Sequence, residues 1–227
     1  MKTDLTLDLA KTALLIIDLQ EDQRSDPLCV AENLDHVLVN TAKLLEAARA
    51  NGVKVFHAAF VRDFDKRPPR PFEPLADDGG PAFSRKQSPL VAICHEVAPR
   101  DDEVVLHKND ASAFEEGSLA GLLSALGVEW LIIVGVWTEA CIAASVRDAM
   151  AGGFRVLLVK DACTSGTLAM HQTGVLNIAN RLYGGAVADT GRTVTLLNGG
   201  TANVWWNDMP VPFRFTLDDV EATYEAL

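Results

Sequence analysis

The sequence has no apolar stretch long enough to cross a membrane; its longest run is about the length of a strand. It also lacks paired cysteines. Cys29, Cys94, Cys141 and Cys163 are scattered, with no CxxC pair and no metal-ligand spacing. No HExxH segment is present, so no metal is expected. Neither DLQEDQ nor VWTEAC has the GxGxxG spacing of a dinucleotide-binding turn, and no flavin or NAD cofactor is expected either. Positive charge is scarce, with 20 Lys and Arg against 31 Asp and Glu, a net −11. That balance argues against nucleic acid or an anionic membrane as partner and leaves a small molecule as the expected ligand. The opening residues, MKTDLTLDLAKTALLIID, carry acids where a signal peptide would have an uninterrupted apolar segment. With free thiols, this makes a reducing cytoplasm the expected location.

What is present suits one α/β domain. The 227 residues are 48% hydrophobic and 22% charged, ordinary for a folded globular chain with a sizeable core. ALLIID (13–18) is an apolar run ending in a carboxylate, and Leu34–Ala50 has helical spacing that stops at Asn51-Gly52. VKVFHAAF (53–60) predicts a second strand and EVVLHK (103–108) a third that ends in a lysine. Ser118 is expected to cap a helix through Leu126, FRVLLVK (154–160) to be a fifth strand with Asp161 starting its loop, and 186–189 a short sixth. Alternating strands and helices of these lengths indicate a three-layer, Rossmann-like α/β fold with about six mostly parallel strands.

Two stretches break the pattern. Residues 62–90 hold six prolines and Gly79-Gly80, and are expected to form a lid or rim from which Phe72, Phe83 and Arg85 reach a ligand, or else a subunit contact. After residue 197 the chain loses periodicity but keeps Trp205, Trp206, Phe213 and Phe215. The expected organisation is a domain over 1–197 and an arm over 198–227 that packs on the domain or on a neighbouring subunit.

The fourth strand carries the chemistry. Leu131–Val136 reads as a strand buried on both faces, and Ile142, Val146 and Met150 recur every four residues until Gly152-Gly153 ends a helix. With Thr138 as N-cap, Cys141 falls at the third helical position, where unpaired N–H groups and the helix dipole lower the cost of a thiolate. The same free amides suit an oxyanion; a small apolar Cys filling a tight junction is the bland alternative. In open α/β sheets ligands bind at the carboxyl ends of the strands. Asp18, Lys108 and Cys141 all fall there, and together they supply a base, a cation and a nucleophile.

ALLIIDLQ, KNDASAF and GVWTEACIAASVRDA resemble the three signature segments of the isochorismatase-like cysteine hydrolase family, in order and spacing over roughly residues 12–190. The resemblance is to its amidohydrolase branch, similar to N-carbamoylsarcosine and ureidoacrylate amidohydrolases. It implies a catalytic triad of Asp18, Lys108 and Cys141, a thioester intermediate, and a cis peptide at Val136–Trp137 that aims the Trp137 N–H, with that of Cys141, at an oxyanion. It also implies a homo-oligomer, dimer or tetramer. The Asp-x-His zinc motif of the nicotinamidase branch is absent, since His57-Ala58-Ala59-Phe60 stands in its place. The retained Cys141 favours C–N cleavage in a small amide, carbamoyl or ureido compound over vinyl-ether hydrolysis. A non-catalytic binding module on the same fold is the third possibility. Gln20, His57, Phe60 and Trp137 are the candidate substrate contacts. His171 is left outside the catalytic set, and Cys163 is taken as structural.

Overall fold

Every residue of Trp130–Val136 is buried, as is every residue of Thr12–Ile17, and these two strands run side by side in parallel at the middle of the molecule. A parallel strand covered on both faces needs apolar side chains at every position, which is why these runs do not alternate. The computed structural model describes residues 1–227. In chain order its regular elements are β1 (Lys2–Leu5), β2 (Thr12–Ile17), α1 (Asp22–Ser25), α2 (Leu34–Ala50), β3 (Lys54–Phe60) and β4 (Val104–Lys108). There follow α3 (Ser118–Ala125), β5 (Trp130–Val136), a π-helical turn (Thr138–Ile142), α4 (Ala143–Ala151), β6 (Arg155–Thr164) and α5 (Leu168–Ala179). The chain closes with β7 (Ala186–Ala188), α6 (Thr190–Leu197), β8 (Ala202–Trp206) and α7 (Val220–Glu225).

The eight strands form one sheet in the order β1-β8-β7-β6-β5-β2-β3-β4. Six of them, β7 to β4 in that order, are parallel and are the six expected from the apolar runs. The sheet has two more: β8 pairs antiparallel with β7, and β1 pairs antiparallel with β8. β8 lies within the stretch expected to be an irregular arm. Its Val204 and Trp205 are buried in the two cores, while Asn203, just before them, is exposed.

Successive strand residues point to opposite faces. Leu14, Ile16, Ile132 and Val134 meet α2 and α6 on one side, and Leu15, Ile17, Leu131 and Ile133 meet α3, α4 and α5 on the other. The clusters hold 30 and 28 buried residues, so neither face is left to water. After β2 the chain moves outward through β3 and β4, then returns to the other side of β2 as β5. The order therefore reverses between β2 and β5, and the crevice at their carboxyl ends is where ligands bind in such sheets.

Three local expectations differ. Ser118 is the first residue of α3 and makes no cap bond; Gly117, in the left-handed region, precedes it. Thr138 is not a helix cap either, because the chain winds a π turn there before α4 begins. β6 runs past Asp161 to Thr164, since its pairing with β5 resumes at Gly135–Cys163 after a register shift.

That shift occurs at Gly135, whose φ is +124° and whose Cβ, were there one, would lie 1.9 Å from the carbonyl oxygen of Ile17. β5 and β2 thus come closest one residue before Asp18. Gly135→Ala should lower stability by about 2–4 kcal/mol, or roughly 5–15 °C in Tm for a chain of this size, in thermal unfolding. An unchanged Tm would contradict the close approach.

Candidate active site

β2 ends at Ile17, and Asp18 turns the chain out of the sheet with a positive φ of 54°, a conformation that Asp tolerates better than most residues. β4 ends on Lys108, in register with Phe60, the last residue of β3. Cys141 lies in the π turn after β5. The three therefore leave the same edge of the sheet from three strands. Lys108 reaches across the end of β3 beneath the Phe60 ring, its Nζ 4.8 Å from the ring centroid.

The Lys108 ammonium is the hub. Nζ lies 2.8 Å from Asp18 Oδ2 and donates to Cys141 Sγ at 3.3 Å and to the carbonyl of Asp110 at 3.1 Å. Three N–H bonds meet three acceptors, so the ammonium is saturated. Lys108 is only 2% exposed and Asp18 3%. Asp18 Oδ1 has no conventional hydrogen-bond partner.

Burial penalises the charge on Lys108, but the Asp18 carboxylate and the Cys141 sulfur beside it prevail and hold the ammonium above its ordinary pKa. Burial also raises the Asp18 carboxyl, working against the Lys108 ammonium and the Cys141 thiol, which favour its charged form. The Cys141 thiol is pushed up to about 12, by burial first and then by the Asp18 carboxylate. This corrects the expectation of a lowered thiol. In the π turn, desolvation and a neighbouring carboxylate exceed what the helix terminus and Lys108 supply.

The three side chains sit by a cavity of about 340 Å³ lined by both Asp18 and Cys141. Phe60, Phe83, Leu28 and Trp137 form its apolar wall, and Phe60 and Phe83 stack with centroids 5.8 Å apart. The Trp137 ring is held by a chain of polar groups. Its Nε1 donates to Gln23 Oε1 at 2.7 Å, Gln23 Nε2 donates to Asp22 Oδ1 at 3.0 Å, and Ser84 Oγ donates to Asp22 Oδ2 at 2.5 Å. The peptide between Val136 and Trp137 is cis. The Trp137 backbone N–H has no acceptor within the chain, so it is free to bond a ligand.

Of the four candidate substrate contacts, Phe60 and Trp137 line the cavity; Gln20 and His57 do not. Gln20 is fully buried and bonds the Phe60 carbonyl, the Phe60 N–H and the Val91 carbonyl, tying the ends of β2 and β3 together. His57 sits mid-strand, three residues short of the edge, and bonds Glu103 at 3.1 Å. From the proline-rich loop, Phe83 reaches the cavity, Phe72 is 97% exposed, and Arg85 is paired with Asp78. Arg70, Ser84 and Asp110, which the sequence did not single out, line it; Arg70 and Asp110 bond each other at 2.9 Å. Asp110 had a readable signal, since it lies two residues after Lys108 in KNDASAF. Ser84 and Arg70 had none: a buried Arg62, clamped to Glu73 at 2.5 Å and to the Arg67 carbonyl, folds their loop back over the sheet edge.

Comparison with known proteins agrees with this architecture. A family model described as the isochorismatase domain matches residues 12–192. Maleamate amidohydrolase of Pseudomonas putida is 35% identical over 188 residues, covering 78% of this chain and 83% of that protein. N-carbamoylsarcosine amidase of an Arthrobacter species is 30% identical over 175 residues, which is 73% of this chain and 62% of the amidase. Among solved structures, an isochorismatase family protein of Desulfovibrio vulgaris superposes with a TM-score of 0.73 at 27% identity, covering 82% of this chain and 98% of that one. The match runs from β2 into the first turn of α6, including all three residues at the sheet edge, and on that ground this chain belongs to the isochorismatase family.

Proposed function

We propose that this chain is a cysteine-dependent hydrolase that cleaves the C–N bond of a small amide, carbamoyl or ureido compound through a thioester. The observation that carries the reading is the Lys108 ammonium, bonded at once to Asp18 and Cys141 beside a cavity of small-molecule size. The amidohydrolase names of the relatives support the choice of bond.

A thiol raised to about 12 is protonated at rest, so attack needs a base beside it. As Cys141 Sγ bonds to the substrate carbonyl carbon, Asp18 takes the thiol proton. The free Trp137 N–H, with that of Cys141, bonds the oxygen that becomes negative. Asp18 then passes its proton to the departing nitrogen, the C–N bond breaks, and an amine and a thioester remain. Water attacks the thioester carbonyl while Asp18 takes its proton. The C–S bond breaks, the proton returns to sulfur, and the acid leaves. Lys108 stays charged throughout, keeping Asp18 anionic when it must accept a proton and offsetting negative charge on sulfur. No metal or organic cofactor has a part in these steps.

The same reading takes the chain as a homo-oligomer. Phe72, wholly exposed on the loop that supplies Arg70 and Phe83, supports it. Light scattering should return at least a dimer at micromolar concentration, and a monomer would remove this part of the proposal.

Ammonia or amine release from a panel of amides, carbamoyl compounds and ureides tests the chemistry. Cys141→Ala, and separately Asp18→Asn, should lower turnover at least about a thousandfold, with an acyl adduct on Cys141 in the wild type by intact mass. Turnover retained in Cys141→Ala would sink the thioester and favour vinyl-ether hydrolysis. The acid limb of kcat/KM should report Asp18. Because its pKa is raised, activity should rise with pH through a midpoint above the ordinary carboxyl value of about 4 and then stay level to alkaline pH. A midpoint below about 4 would contradict the buried base.

A further inference from the structure

His171 lies on α5, against the π turn and outside the cavity lining, and is 4% exposed. Its two ring nitrogens face two different partners. Nδ1 is 2.8 Å from Thr138 Oγ1, and Nε2 is 3.1 Å from the Tyr224 hydroxyl. The direction of each bond follows from the next. Thr138 Oγ1 is 3.0 Å from the Thr164 carbonyl, which only accepts, so the threonine proton is committed there. Thr138 must then accept from His171, which places the ring proton on Nδ1 and leaves Nε2 to accept from Tyr224. One neutral tautomer satisfies the whole chain, and burial, which lowers the His171 pKa to about 4, keeps it neutral.

Thr138 opens the turn that carries Cys141, three residues before it. The same turn is gripped elsewhere by the same segment. Ser165 Oγ donates to Glu139 Oε2 at 2.6 Å, and at Gly174 an added Cβ would lie 3.0 Å from Thr138 Cγ2 and 3.1 Å from the Glu139 nitrogen. Tyr224 belongs to α7, which lies beyond the family-matched stretch. It is fixed from below by Lys160, whose Nζ donates to the Tyr224 carbonyl at 2.9 Å and lies 4.4 Å from the centroid of the Tyr224 ring.

We propose that His171 is a positioning residue for Cys141, holding the nucleophile turn through Thr138, and that α7 sets the orientation of His171 through Tyr224. The last turn of helix in the chain is thereby part of the support of a sulfur at the opposite end of a four-group relay. The proposal rests on the thioester reading for its effect on turnover, but the relay itself is independent of the substrate.

The test uses the full chain with three substitutions. His171→Leu removes both bonds; His171→Asn returns a donor at the position of Nδ1 and none at Nε2; Tyr224→Phe removes only the outer hydroxyl. Expected for His171→Leu is a fall in kcat of at least about tenfold with KM changed by less than about threefold, because a nucleophile displaced by a fraction of an ångström loses reactivity more than binding. His171→Asn should recover kcat to within about threefold of wild type, and Tyr224→Phe should fall between. Alkylation of Cys141 by iodoacetamide, followed by peptide mass against pH, gives a second readout that needs no substrate. As the turn slips, easing the burial of the sulfur and its contact with Asp18, that profile should move to lower pH, toward that of an ordinary cysteine. Melting temperatures separate misfolding from displacement. If folded His171→Leu and Tyr224→Phe both keep the wild-type alkylation profile, the relay is overturned, whether or not an amide substrate has been found. If the profile shifts as expected while no amide is turned over by any variant, the relay stands and the thioester reading falls.

Discussion

A buried ammonium is the constraint on which this structure turns. Taking a charge of that size out of water costs several kcal/mol even after relaxation, and the cost is offset only by well-placed partners. Lys108 has them in the Asp18 carboxylate, the Cys141 sulfur and a backbone carbonyl two residues on. Each comes from a different place. Asp18 follows a central strand, Cys141 follows the strand beside it, and Lys108 crosses from two strands away. Satisfying one nitrogen therefore pins the ends of β2, β4 and β5 together. Loss of any one partner leaves an unpaired charge or dipole in the interior, where it is most costly.

The same burial decides the chemistry. A cysteine in the first turn of a helix, near a lysine, looks like a thiolate. In the folded chain the half-buried sulfur is poorly solvated and faces a carboxylate, and both push its proton affinity up. A neutral thiol is a poor nucleophile, so the proposed reaction assigns the adjacent carboxylate the part of base, a part that burial favours by raising its pKa. In that proposed reaction the lysine serves less to activate the sulfur than to keep the Asp18 carboxylate charged. The cavity wall follows a related logic. The Trp137 indole is held by Gln23, Gln23 by Asp22, and Asp22 by Ser84 of the proline-rich loop, so the loop's position is tied to the tryptophan beside Cys141 in the cavity wall.

How much of this was legible depended on how each feature writes itself into the chain. Strands buried on both faces leave uninterrupted apolar runs, and β2, β3, β5, β6 and β7 were readable for that reason, whereas β4, half exposed at the sheet edge, showed only the short run Val104–Leu106. β1 and β8 were not. They are short, half exposed and antiparallel at an edge, and KTDL and ANVWW carry no such run. The ends of helices were misread where tertiary contact replaced local capping: the Thr138 hydroxyl bonds the Thr164 carbonyl instead of a free N–H of its own helix. Gln20 and His57 were expected at the cavity because they lie near strand ends. Their side chains instead join strands or pair with Glu103, a choice made by register and pleat. Arg70 and Ser84 had no sequence signal, since a loop of this composition has no period to read.

By itself the sequence determined the parallel core, the order of its helices and the three reactive side chains at strand ends, because periodicity and strand termini are local properties of the chain. Only the tertiary structure decided that these three side chains share one ammonium, that the sulfur is held as a thiol, and that a helix near residue 224 reaches the turn bearing it. The physical reason is that distance, dielectric and hydrogen-bond direction belong to pairs of residues remote along the chain, and they take values only when the sheet has brought those pairs together.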